Sequence, residues 1–136
     1  LDMIGYTGDA ELDVLLESEP VGQPLIDAFA ASAADFTTLV VEVALNAWGS
    51  DHVPYLEAVP AMPAMLAIEN DWDDYPDYHR TTDLPDNLST AMGGGILRMG
   101  AGGIGRLAGL VEPAGLLFRD GWERGDVSAW SSAGEE

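Results

Sequence analysis

Cysteine is absent from the 136 residues, so disulfides and thiolate metal sites are excluded. That absence leaves the compartment open, because a secreted domain of this size can fold without bridges. Lysine is also absent, and five arginines face 24 acidic residues, for a net charge of −19. This balance argues against nucleic acid and anionic membrane surfaces as partners, since both need basic patches. The acidity suits a solvated surface that keeps the protein soluble. A high-salt habitat, cation binding, or an assembly whose repulsion is screened by ions fits the same composition. No signal peptide is visible, and the start at Leu1 reads as a mature, cleaved or excerpted product. No clean membrane span is present either. The apolar stretch from Ala91 to Val111 is interrupted by Arg98, Arg106 and many glycines.

What is present is enough apolar sequence, 47%, for one real core. Leu12, Val14 and Leu16 alternate with Glu11, Asp13 and Glu17, the pattern of a half-buried strand. Glu19 to Gly22 reads as a turn. Leu25, Ile26, Phe29, Ala33 and Phe36 then recur at helical spacing, with Pro24 in the first turn. Thr37 to Leu45 is β-branched and apolar, and reads as a buried strand. Ser50 is placed to cap a short helix containing Tyr55 and Leu56. Met62 to Ile68 reads as a further strand, followed by a long polar loop from Glu69 to Asp86. Asp83 or Asp86 is expected to cap a long helix with its apolar stripe on Leu88, Met92, Ile96, Met99, Leu107 and Leu110. Its many glycines imply either a broken helix or close packing that offsets a cost of about 1 kcal/mol each. Alternating strands and helices define an α/β domain with helices packed on a sheet, over residues 1–117. Residues 118–136 read as a polar tail or linker.

Several local patterns invite a function. Gly100 to Gly105 matches the glycine spacing of a dinucleotide-binding turn, but it lies within a helix, with no strand before it to aim amides at a pyrophosphate. Asp71, Asp73, Asp74 and Asp77 form an acidic loop that is either exposed or a site for a hard cation such as calcium. His79 stands on the same loop, among carboxylates and aromatics. Neutral imidazole is a preferred zinc ligand, and a lone histidine is as readily a surface residue.

Three motifs in order carry a resemblance: Leu1-Asp2-Met3, Ser50-Asp51-His52, and Tyr78-His79-Arg80-Thr81-Thr82-Asp83-Leu84-Pro85-Asp86-Asn87-Leu88. Together they resemble the C-terminal half of the co-catalytic zinc aminopeptidases, the bacterial leucine aminopeptidases and glutamate carboxypeptidase-like relatives, over roughly Leu1 to Val111. The family's Tyr-His-Thr-x-x-Asp-Thr-x-Asp-x-Leu is matched with one extra residue before the threonine pair and with Leu84 where threonine is usual. The resemblance implies part of a mixed-sheet exopeptidase fold whose N-terminal portion is absent. It implies Asp2 and His79 as ligands, one to each of two zinc ions. Ser50 would orient His79, and His52 would be structural. Met3, Leu66, Ile68 and Tyr78 would lie near the pocket for the substrate's first side chain, with Tyr75 at its rim.

The same resemblance exposes gaps. The family's general-base glutamate, bridging aspartate and other ligands precede its Leu-Asp-Met motif, and no residue here matches them. Zinc normally takes at least three protein ligands, so this chain alone is expected not to hold it. A family tyrosine that assists the transition state would fall near Ala47 or Trp48, neither of which has a phenol. The expected partners are accordingly the missing N-terminal half, or copies of the chain itself, with a peptide as substrate once the site is complete. The tail from Asp120 to Ser131 resembles C-terminal segments of secreted bacterial proteins, which implies an extracellular protein. The alternative is a non-catalytic, self-assembling extracellular scaffold derived from a peptidase.

Overall fold

The computed structural model describes residues 1–112 and 115–116. The tail assigned to residues 118–136 lies outside the described residues. The first strand, β1, spans Asp13–Glu17 and is followed by helix α1, Gln23–Phe36. Strand β2 is Val40–Ala44, and a one-turn helix α2 covers Val53–Leu56. Strand β3 is Leu66–Glu69, and the long helix α3 runs over Thr90–Leu107. A short antiparallel pair, β4 at Val111–Glu112 and β5 at Gly115–Leu116, follows. Among the described residues no helix is long and apolar enough to cross a membrane.

The main sheet has the order β2-β1-β3, with β1 parallel to β2 and antiparallel to β3. It is therefore a small mixed sheet, and α1 and α3 pack together on one of its faces. The alternation of β1 dictates this division. Val14 and Leu16 point into the helix layer and are buried with Ile26, Phe29, Ala33, Met92, Ile96 and Met99. Leu15 and Glu17 point to the opposite face, because successive strand residues alternate sides.

Helix α3 is continuous, and its glycines are where the two helices meet. A Cβ on Gly103 would lie 2.5 Å from the Phe29 ring, and one on Gly102 would collide with Ser32 and Phe36. Ser32 Oγ, fully buried, donates to the Met99 carbonyl at 2.8 Å and ties α1 to α3. Close packing thus offsets the low helix propensity. The buried stripe runs through Met92, Gly95, Ile96, Met99, Gly100 and Gly103. Leu88, Leu107 and Leu110, expected on it, are about half exposed at 51%, 49% and 53%.

Four other expectations are corrected. The strand within Thr37 to Leu45 exists but is not buried. Among the described residues it pairs only with β1, so Val40 and Val43 are 40% and 48% exposed at an open edge. The cap of α3 is Ser89, whose Oγ accepts the Met92 N–H at 3.2 Å, rather than Asp83 or Asp86. Asp86 lies within a turn of 3-10 helix at Pro85–Asn87, which also separates Asp83 from the helix. Ser50 does not cap α2 with its side chain; its carbonyl accepts the Val53 N–H at 3.0 Å. The ladder of β3 begins at Leu66, later than Met62; Pro63, within the expected strand, lacks the N–H that pairing requires.

Candidate functional site

The sheet face opposite the helices is not left bare. Three segments distant in sequence fold over it and enclose a small cleft of about 80 Å³. Its floor is Leu15 and Glu17 from β1 with Leu66 and Ile68 from β3. The N-terminal segment lies along the free edge of β3, where the Asp2 N–H donates to the Ala67 carbonyl at 3.2 Å. The Glu69 N–H donates back to the Met3 carbonyl at 3.0 Å. This carries Asp2 and Met3 into the cleft wall. The loop between β2 and α2 adds Trp48, Gly49 and Ser50, and the loop between β3 and α3 adds Trp72 and Tyr78.

Among the described residues, two that are not glycine have positive φ: Met3 at 44° and His79 at 57°. Left-handed backbone is disfavoured for residues with a Cβ and persists where surrounding structure enforces it, often at functional sites. Met3 lines the cleft, and His79 directly follows the cleft residue Tyr78.

Six of the residues singled out from sequence, Asp2, Met3, Ser50, Leu66, Ile68 and Tyr78, meet in this one cleft. Ser50 Oγ donates to Asp2 Oδ2 at 3.4 Å. Its hydroxyl therefore orients Asp2, where His79 was the expected partner. His79 itself is exposed and does not line the cleft; its ring stacks on Tyr78 with centroids 3.9 Å apart. Tyr75 is not at the rim. It is buried against Tyr6, centroids 4.6 Å apart, and its hydroxyl donates to Asp83 at 2.6 Å. That hydrogen bond to a carboxylate holds the Tyr75 phenol above its ordinary value.

Leu15, Glu17, Trp48 and Trp72 escaped the sequence reading. The period-two pattern of β1 contained the signal for the first two, since residues 15 and 17 must share the face opposite Val14 and Leu16. Glu17 is the most consequential. Its side chain is only 10% exposed; Oε1 accepts the Trp48 N–H at 2.7 Å and lies 3.1 Å from His52 Nε2. Trp48 in turn stacks on Trp72, with centroids 5.7 Å apart. His52, marked from sequence as structural, is buried beneath this arrangement.

Glu69 is a second buried carboxyl that sequence placed on a polar loop. It belongs to β3 and is 1% exposed. Burial pushes its pKa from 4.5 up to about 7, against the pull of backbone N–H groups at Tyr6 and Gly5, and the nearby Asp2 charge adds to the rise.

The acidic loop is organised around its own bonds. Asp71 Oδ2 accepts the Gly8 N–H at 2.6 Å, and Asp77 accepts from Thr82 and from Asn87. Among the described residues no three His, Cys, Asp or Glu side chains are grouped to hold a metal ion. Asp2 and His79 as placed do not fit a zinc ion by themselves, since zinc takes three or more protein ligands.

The fold and this cleft define a small mixed α/β domain with one acidic, aromatic recess on the sheet face away from its helices. No protein-family model, curated protein or solved structure matches the chain.

Proposed function

We propose that this chain is the C-terminal part of a secreted, zinc-dependent aminopeptidase that removes N-terminal residues from peptides. One observation carries the reading. The motif residues Asp2, Met3, Ser50 and Tyr78, scattered over most of the chain, converge on a single cleft with left-handed backbone at Met3 and beside Tyr78. On this reading Asp2 and His79 each contribute one ligand, and the rest of the peptidase supplies the other ligands and the general-base glutamate. Zinc in the completed site would polarise the peptide carbonyl and lower the pKa of bound water. This chain's own residues would position: Ser50 holds the Asp2 carboxylate, while Met3, Leu66 and Ile68 wall the recess for the first side chain. Native mass spectrometry of the material as isolated tests the proposal. A complex with a second polypeptide and two zinc ions supports it, together with hydrolysis of an aminoacyl anilide. A metal-free chain that forms no such complex and shows no hydrolysis removes it.

A second reading rests on a different observation. Strand β2 leaves an open sheet edge with Val40, Val43 and Leu45 exposed, and Leu1, Leu97 and Ile104 flank an apolar groove beside α3. Exposed edges and apolar patches are ordinarily covered by partners or by further copies. A self-assembling extracellular scaffold would use them, and metal-free homo-oligomers in the same measurement support that reading.

A further inference from the structure

We infer that Glu17 makes the cleft selective for a cationic side chain, an alkylammonium or guanidinium group, over an aliphatic one. The inference takes the cleft of the proposed function as the site that receives the substrate's first side chain, and names the class of side chain it accepts.

The argument begins with the recess itself. Its floor is otherwise apolar, Leu15, Leu66 and Ile68, and Glu17 is the one carboxylate set into it. The Glu17 side chain is nine-tenths buried, yet only Oε1 is engaged: among the described residues Oε2 has no hydrogen-bond partner. A carboxylate in a poorly solvated recess is costly unless it is paired. An aliphatic side chain entering the recess would strip water from Oε2 and give nothing back. A cationic one would supply the missing partner, and a charge-assisted hydrogen bond is the stronger kind.

Asp2 adds a second carboxylate at the cleft wall, and no arginine of the described residues lines it. The aromatic side of the recess acts in the same direction. Trp48 and Trp72 line it, stacked on one another, and indole is the best aromatic surface for a cation. Glu17 also holds the Trp48 backbone in place, so one carboxylate both receives the cation and sets part of its aromatic wall.

Binding to the purified full chain, followed by tryptophan fluorescence at low ionic strength, tests this. The probes are L-argininamide and L-norleucinamide, which share the same α-ammonium and differ in the side chain. The expected result is argininamide binding roughly 10-fold more tightly, about 1.4 kcal/mol. In Glu17→Gln, which keeps an oxygen able to accept the Trp48 N–H, the preference should vanish. Equal affinities, no binding of either amide, or a preference that survives Glu17→Gln would overturn the inference. Repeating the titrations with zinc separates the two proposals. A Glu17-dependent preference without any response to zinc upholds the selectivity and tells against the peptidase reading. Zinc that tightens both amides alike, with no preference between them, does the reverse.

Discussion

Ser50 Oγ donates to Asp2 Oδ2 at 3.4 Å, joining two motif residues 48 positions apart. The contact is long and exposed, so its contribution to folding is small. Ser50→Ala should lower the unfolding free energy by less than about 1 kcal/mol in urea titration, as befits one weak hydrogen bond. A loss above about 2 kcal/mol would mean that the serine carries a buried structural role that this single bond does not describe.

The glycines of α3 divide into two kinds, which substitution should separate. A Cβ on Gly103 meets the Phe29 ring at 2.5 Å, whereas one on Gly94 meets only the Arg98 tip at 4.0 Å. Gly103→Ala gains about 1 kcal/mol of helix propensity and loses about 1–3 kcal/mol to overpacking, for net destabilisation. Gly94→Ala keeps the propensity gain and should stabilise by up to about 1 kcal/mol. Thermal unfolding of the pair checks both signs. Two variants that shift in the same direction would contradict the tight α1–α3 contact.

These cases show what the sequence made legible. Apolar periodicity located β1, α1 and α3 because burial of one face imposes a period on the residues that form it. It could not say that β2 lies at an edge, since Val40 to Ala44 has the same β-branched, apolar composition as a central strand. The α3 glycines looked like breaks because propensity ignores the neighbouring helix that makes them fit. In the site, the motif segments pointed to four cleft residues, and the family resemblance to Leu66 and Ile68 as well. Tyr75 was misplaced because nothing in its local sequence announces the Tyr6 ring that covers it. Glu17 was read only as the polar beat of a strand, although that same beat put it on the cleft floor.

Glu69 predicts an unusual pH dependence. Its folded pKa is raised from 4.5 to about 7, chiefly by burial. Between those values the folded chain holds a proton that the unfolded chain has released, so this group's contribution falls as pH rises. It is fully present below about 4.5 and lost on passing 7, a swing of up to about 3 kcal/mol. Glu69→Gln removes the buried charge and leaves an uncharged side chain of similar shape. The variant should melt several degrees above the parent at pH 8 and close to it at pH 4. Equal melting temperatures at pH 8 would show that the carboxylate is not penalised by its surroundings.

The open edge of β2 leads to the last expectation. Val40 and Val43 of β2 and the adjoining Leu45 expose apolar surface along an edge that is unpaired among the described residues, while a charge of −19 opposes contact between copies. These effects respond oppositely to salt. Raising ionic strength from 0.1 to 1 M shortens the Debye length from about 10 Å to about 3 Å and leaves apolar attraction in place. If copies meet at this edge, sedimentation should show association growing with salt, and Val43→Lys should suppress it, because a charged side chain on an exposed edge strand blocks edge-to-edge pairing. The substitution should leave the melting temperature little changed, since Val43, though beside Leu16 on the helix side of the sheet, is 48% exposed and outside the buried core cluster. Association that ignores both salt and Val43→Lys would move the contact elsewhere, with the groove at Leu97 and Ile104 the next surface to alter.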